Sequence, residues 1–182
     1  MTETSSDREV LRTRVLSRLR DVPDFPKPGI TFKDITPVLG DAGLLKDLIA
    51  GLVAPWWTAR ITHVAGIESR GFILAAPMAI ALGAAFIPIR KPGKLPWRTE
   101  GRAYALEYGV DGLEVHTDAC PDHSRVLVVD DVLATGGTVS AACGVIRQVG
   151  GEVIGCSFLI SIDALRGRAL LHDTPMDVLV NV

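Results

Sequence analysis

The chain has 182 residues, 48% of them hydrophobic and 22% charged, with a formal net charge of −2. That balance excludes intrinsic disorder, and 18 glycines without a three-residue period exclude collagen. The charge also excludes a nucleic-acid-coating protein, which needs a concentrated basic surface, and the length predicts one domain over 1–182.

The first twenty residues are charged throughout and lack an apolar core, so no secretory signal is expected there. Leu11, Val15, Leu16 and Leu19 share one face at helical spacing and predict a short amphipathic helix. Between Asp21 and Asp34, Pro23, Pro26 and Pro28 break up a polar run. A structured loop is expected there, neither helix nor central strand. Asp41 is placed to cap a helix carrying Leu44, Leu45, Leu48, Ile49, Leu52 and Val53, which Pro55 ends. Trp56 and Trp57 follow, as core or interface residues. His63–Ile67 reads as a buried strand, with a polar turn, Glu68–Gly71, after it.

Gly71–Ile89 contains no charged residue and has the length of a bilayer span. Pro77 and Pro88 interrupt it and six alanines dilute it, so a buried helix Gly71–Leu82, a stop at Gly83 and a strand Ala84–Ile89 are expected instead. Arg90–Arg102 is a basic Gly/Pro loop, too long for a simple connector. Ala103–Gly109 and Leu113–His116 resemble two antiparallel strands around a Gly109–Gly112 turn. Arg125–Asp131 is a continuous apolar strand ending in acids, and Ala134–Thr138 is the loop after it. A helix Val139–Val149, stopped by Gly150–Gly151, and a strand Glu152–Ile160 complete the pattern. Alternating strands and helices predict an α/β fold, a mostly parallel central sheet flanked by helices. Cys120, Cys143 and Cys156 form no CxxC pair, and the histidines form no HExxH. Neither a disulfide scaffold nor a zinc site is expected, and a reducing cytoplasm fits.

The strongest chemical signal is VLVVDDVLATGGT, Val126–Thr138. Ligands of open parallel sheets bind beyond the carboxyl ends of strands, which puts Asp130 and Asp131 at that edge. The loop Ala134, Thr135, Gly136, Gly137, Thr138 leads into a helix N-terminus, where small residues let backbone N–H groups approach an anion. A phosphate site close to two carboxylates suits a sugar phosphate, because carboxylates accept from both hydroxyls of a ribose diol. Either fragment alone would read as solvated acids or a plain Gly-Gly turn. There is no GxxxxGK[ST] and no GxGxxG, which excludes a P-loop and a dinucleotide fingerprint.

The string resembles the phosphoribosyl-pyrophosphate signature of type I phosphoribosyltransferases. Asp24–Leu39 (DFPKPGITFKDITPVL), Ala65–Phe72 (AGIESRGF), Ile89–Pro96 (IRKPGKLP) and Leu106–Gly109 (LEYG) narrow the resemblance to the adenine phosphoribosyltransferases, over roughly Asp24 to Ile160. The resemblance implies the type I phosphoribosyltransferase fold, with a flexible lid loop and a small N-terminal hood segment within 1–36. It implies that Glu68, Ser69 and Arg70 bind pyrophosphate, with a cis peptide at Glu68–Ser69. Arg70 suits that task because its planar fork binds two oxygens at once. The turn is a near miss to the GxSxG nucleophile elbow, with Ile at position 67, so a serine hydrolase is not expected.

By the same resemblance, Lys91 and Lys94 of the lid meet the leaving pyrophosphate and Arg90 lies beside the reaction centre. Adenine stacks on Phe32, with Val132 over its other face, and the backbone of Thr31 and Lys33 reads its Watson–Crick edge. Glu107 handles the adenine proton, beside Tyr108 of the lid. The implied reaction is adenine plus phosphoribosyl pyrophosphate giving AMP and pyrophosphate, in purine salvage. Mg²⁺ is the implied cofactor, carried in on the substrate without dedicated protein ligands. A cytoplasmic homodimer is implied, with neither nucleic acid nor membrane as partner. The alternative from another class is a purine repressor that binds phosphoribosyl pyrophosphate without catalysis. It needs a DNA-binding domain ahead of the match, where only about 23 residues stand. A hypoxanthine/guanine or xanthine enzyme is the alternative within the class, and GITFKD argues against it.

Overall fold

The computed structural model describes residues 5–106 and 109–182. Its centre is a parallel sheet of five strands: β3 (His63–Ile67), β4 (Ala85–Ile89), β7 (Arg125–Leu133), β8 (Glu152–Ser161) and β9 (Met176–Asn181), in the order β4-β3-β7-β8-β9. Helices α1 (Ser5–Arg18), α2 (Thr36–Leu39), α3 (Ala42–Val53) and α4 (Gly71–Leu82) supply one apolar layer, where Leu48, Leu52, Leu74 and Met78 pack with Leu127, Val129 and Leu159. On the other face, α5 (Gly137–Gln148) and β6 (Gly109–His116) pack with Val126, Val128, Cys156 and Phe158. Two separate antiparallel ribbons complete the fold: β1 (Arg20–Val22) with β2 (Phe32–Asp34), and β5 (Thr99–Leu106) with β6.

The sheet is α/β and parallel, as the alternation predicts. After β3 the chain crosses through α4 to the β4 edge; after β7 it crosses through α5 towards β8. The two crossovers lie on opposite faces, so strand order reverses between β3 and β7. Such a switch point opens a crevice at the strands' carboxyl ends, the usual ligand position in open α/β sheets.

Local chemistry explains the boundaries. Asp41 caps α3, accepting from the Leu44 amide at 3.0 Å. Gly83 ends α4 in the left-handed region, as expected. No helix among the described residues is long and apolar enough to cross a membrane. Trp56 is buried and Trp57 exposed, which resolves the pair into one core residue and one surface residue. Cys143 and Cys156, distant in sequence, are free thiols with sulfurs 3.6 Å apart between α5 and β8.

Five local expectations change. The proline-rich stretch is not loop throughout: its ends pair as β1 and β2, with Val22 opposite Phe32. The lid is shorter than Arg90–Arg102, because strand β5 begins at Thr99. Gly109 and Gly112 lie in β6, opposite Leu106 and Ala103, rather than in a turn. Arg125–Leu133 continues past its two acids because Val132 and Leu133 still pair with Ile160 and Ser161. Leu16 faces solvent, so the apolar stripe of α1 is Leu11 and Val15 with Leu19 beyond its end.

Candidate active site

The crevice between β3 and β7 gathers most of the sequence-predicted residues. Glu68, Ser69 and Arg70 form the turn from β3 into α4, and the Glu68–Ser69 peptide is cis. Gly71 lets this turn sit against β7: a Cβ there would lie 2.8 Å from the Val129 carbonyl and 3.0 Å from Asp130 Oδ1. Arg70 then spans the crevice. Its Nε lies 2.5 Å from Asp131 Oδ2, and its guanidinium lies 4.8 Å above the centre of the Phe32 ring. One side chain thus joins the three predicted subsites: pyrophosphate turn, diol acids and base platform. Phe32 is held edge-on by Phe25, with ring centres 5.2 Å apart.

Asp131 is 4% exposed. Its Oδ2 is sealed from solvent and accepts no aligned hydrogen bond, because the Arg70 contact is an ion pair out of line. An acceptor so placed suits a hydroxyl donor from a ligand. Asp130 accepts from the Asp131 amide at 2.9 Å. Burial, and then the charge of Asp131, push the Asp130 carboxyl well above the usual carboxylate range. A carboxyl raised in this way, beside a second buried acid, marks a binding site better than a solvated strand end.

Beyond them, Asp130, Val132, Ala134, Thr135, Gly136 and Thr138 line a pocket of about 60 Å³ at the N-terminus of α5. Its back wall was not foreseen. Gly136 has φ +85°, and a Cβ on it would lie 2.4 Å from the carbonyl oxygen of Gly167. A Cβ on Gly167 would in turn lie 2.1 Å from the Ala134 carbonyl oxygen. The segment after β8, uninformative as sequence, therefore braces the loop by glycine-to-glycine contact. Only the Gly-Arg-Ala run at 167–169 hinted at it.

The lid's cations converge on Glu68. It accepts from Arg90 Nε at 3.1 Å and from the Lys91 amide at 3.1 Å, and it is paired with Lys94 Nζ. Burial pushes the Glu68 carboxyl up, but these three partners outweigh it and hold it below its ordinary value. Glu68 thus gathers the Arg90 and Lys94 cations and the Lys91 amide by charge-assisted bonds. Lys33 turns its ammonium to Asp21, 2.7 Å away, which leaves its backbone for the role expected of it. Glu107 and Tyr108 lie outside the described residues.

A sequence model of the phosphoribosyl transferase domain matches residues 42–180. The chain is 57% identical over 151 residues to the adenine phosphoribosyltransferase of Myxococcus xanthus, covering 83% of this chain and 82% of that one. It is 51% identical over 164 residues to that of Thermobifida fusca, covering 90% and 93%. The crystal structure of adenine phosphoribosyltransferase from Rhodothermus marinus superposes with a TM-score of 0.92 at 47% identity, over 96% of this chain and 99% of that one. The Saccharomyces cerevisiae enzyme, solved with an iminoaltritol bisphosphate and adenine, gives 0.88 at 35% identity, over 94% and 99%. By its domain match, its relatives and its fold, this chain belongs to the adenine phosphoribosyltransferases of the type I phosphoribosyltransferase family.

Proposed function

We propose that the protein transfers the phosphoribosyl group of phosphoribosyl pyrophosphate to adenine, giving AMP and pyrophosphate in purine salvage. The bridge from Asp131 through Arg70 to Phe32 carries this reading, because it sets ribose, leaving group and base around one point. The 5-phosphate sits on Ala134–Thr138, where the first N–H groups of α5 have no helical partners and the helix dipole favours an anion. Asp130 and Asp131 accept from the diol and turn C1 towards the base. Adenine stacks on Phe32, and the backbone of Thr31 and Lys33 reads its edge, with Val132 opposite. N9 attacks C1 as the bond to diphosphate breaks, and the N9 proton passes to Glu107.

The leaving charge is met by Arg70, Arg90, Lys91, Lys94 and the Ser69 turn. Mg²⁺ enters as part of the substrate, held by phosphate oxygens and water. The described residues contain no cluster of three or more His, Cys, Asp or Glu suited to a metal. A cytoplasmic homodimer belongs to the same proposal. The dimer is supported by apolar side chains left exposed on α4 and β4, with Ile73, Ile80 and Phe86 45%, 82% and 37% exposed.

The test is a spectrophotometric assay with Mg²⁺, phosphoribosyl pyrophosphate and each purine in turn. Adenine is expected to turn over at least about 100-fold faster than guanine or hypoxanthine, because an oxo-purine leaves buried polar groups unpaired. Chelation of Mg²⁺ abolishes the rate. Equal rates with all three bases would overturn the assignment.

Lid closure has its own expected signal. Trp97 is 64% exposed at the C-terminal end of the loop, two residues before β5, and Trp57 is 66% exposed elsewhere. Trp56 is packed in the core, its ring filling the space a Cβ of Gly155 would take. A Trp57→Phe protein therefore reports the lid against a constant buried background. Its emission is expected to shift to the blue when phosphoribosyl pyrophosphate and Mg²⁺ saturate the site, as the indole leaves water. Unchanged emission at full saturation would mean that Trp97 keeps its surroundings throughout turnover.

A further inference from the structure

Glu114 has no role in the scheme above, yet it is 8% exposed and touches the lid loop at three points. Its main chain exchanges two hydrogen bonds with Arg90, at 3.0 and 2.8 Å. Its Oε1 accepts from the Gly93 amide at 3.0 Å, and its Oε2 accepts from the Thr99 hydroxyl at 3.1 Å. These points mark the start, the first bend and the end of the segment that carries Lys91, Lys94 and Trp97. Burying a carboxylate is costly unless its oxygens are satisfied, and here both are satisfied by the loop.

A residue that merely stapled the β5–β6 ribbon would spend its side chain on its strand neighbour. The partner of Glu114 across the ribbon is Gly101, which has no side chain to meet. The carboxylate instead reaches past it to Thr99, where β5 begins, and beyond the ribbon to Gly93 of the loop. The contrast with Glu68 sharpens the point. Glu68 holds Arg90 and Lys94 by their cationic side chains, which a diphosphate competes for. Glu114 holds an uncharged backbone amide and a hydroxyl, which a diphosphate draws on less strongly than on the cations.

We propose that Glu114 is the positioning residue of the lid: it fixes the Arg90 backbone and both ends of the loop, so that the loop's cations exchange Glu68 for diphosphate without losing their place. Glu114 acts through Arg90 and Lys94 and touches no reacting atom. This inference rests on the diphosphate role proposed for the loop.

The experiment is steady-state kinetics on Glu114→Ala, Glu114→Gln and Thr99→Val, beside the wild-type protein. Glu114→Ala is expected to lose about 10- to 100-fold in kcat/KM for phosphoribosyl pyrophosphate, the equivalent of one or two charge-assisted hydrogen bonds. Most of the loss falls in the KM for phosphoribosyl pyrophosphate, and the KM for adenine stays close to wild type. Glu114→Gln recovers most of it, because the amide oxygen accepts from Gly93 while the amide nitrogen donates to Thr99. Thr99→Val shows a smaller loss of the same kind, and it decides the matter if Glu114→Ala does not fold. Unchanged phosphoribosyl pyrophosphate constants in the folded Ala and Val variants would overturn the proposal. So would an equal rise in both substrates' KM, or a Gln variant as impaired as Ala. Absent turnover in the wild type would instead sink the transferase reading.

Discussion

Asp130→Asn is expected to make the protein more stable at neutral pH and a poorer binder of phosphoribosyl pyrophosphate. Burial and the neighbouring Asp131 charge raise the Asp130 carboxyl well above its ordinary value. A carboxyl raised in the fold contributes its stability fully below its unfolded value, near 3.9. That contribution is lost as pH climbs through the raised folded value. At pH 7 the raised Asp130 carboxyl therefore weighs against the folded state. Asparagine keeps the shape and the acceptor for the Asp131 amide, now 2.9 Å from Asp130 Oδ1, and removes the charge. Thermal melts across pH should show the variant's advantage growing as pH rises and vanishing in acid.

The functional loss has the same origin. An amide has one acceptor oxygen where a carboxylate has two, so a hydroxyl of the diol loses its charged partner. A hydrogen bond to a charged group contributes about 1.5–3 kcal/mol, which corresponds to a fall of about 10- to 150-fold in affinity. A titration of phosphoribosyl pyrophosphate with Mg²⁺ measures it. A variant that is more stable and binds as well as wild type would remove Asp130 from the ribose site. Substrate binding also reverses the pH logic, because hydroxyl donors favour the ionised carboxyl. An acid whose ionisation burial disfavours is then retained for its ligand, a common form of trade between stability and function.

How much of this was legible in the sequence follows from the range of the interactions involved. Strand β7, its acids and the loop to Thr138 are contiguous, so period, terminus and glycine content all speak from one stretch. The capping of α3 by Asp41 and the stop at Gly83 are equally local. The exit of β2 beside the crevice is not: Phe32 and Arg70 meet only because β3 turns into α4 at the switch point. Resemblance alone had assigned Phe32 to the base, and the cation above its ring is what the fold adds. Glu114 looked like an ordinary strand residue, because its partners Gly93 and Thr99 carry no sequence signal for pairing. The strand that begins at Thr99 was hidden by a Gly- and Arg-rich composition, and cross-strand pairing with β6 overrode it. The second glycine wall, at Gly167, was illegible for the same reason: a missing Cβ matters only when another backbone arrives there.

That wall leads to an expected loss of binding of comparable size. Gly136→Ala places a Cβ where the Gly167 carbonyl oxygen stands at 2.4 Å, at a residue whose φ is +85°. The left-handed conformation alone costs an alanine roughly 1–2 kcal/mol. The contact adds a displacement of the loop or of its brace, since the atom it meets is backbone and cannot rotate away. The N–H groups at the start of α5 then no longer converge on one anion. Misplacement of the order of 1 Å can cost about 100-fold, and a loss of that size in phosphoribosyl pyrophosphate affinity is expected, with the fold retained. Gly150→Ala separates strain from position. It has φ +87° and nothing within 4 Å of the added Cβ, so it should lose stability and keep its affinity. Gly167→Ala should reproduce the binding loss from the other side, its Cβ meeting the Ala134 carbonyl oxygen at 2.1 Å. Calorimetric titration of the three folded variants is the measurement. Wild-type affinity in Gly136→Ala and Gly167→Ala together would place the 5-phosphate away from this loop.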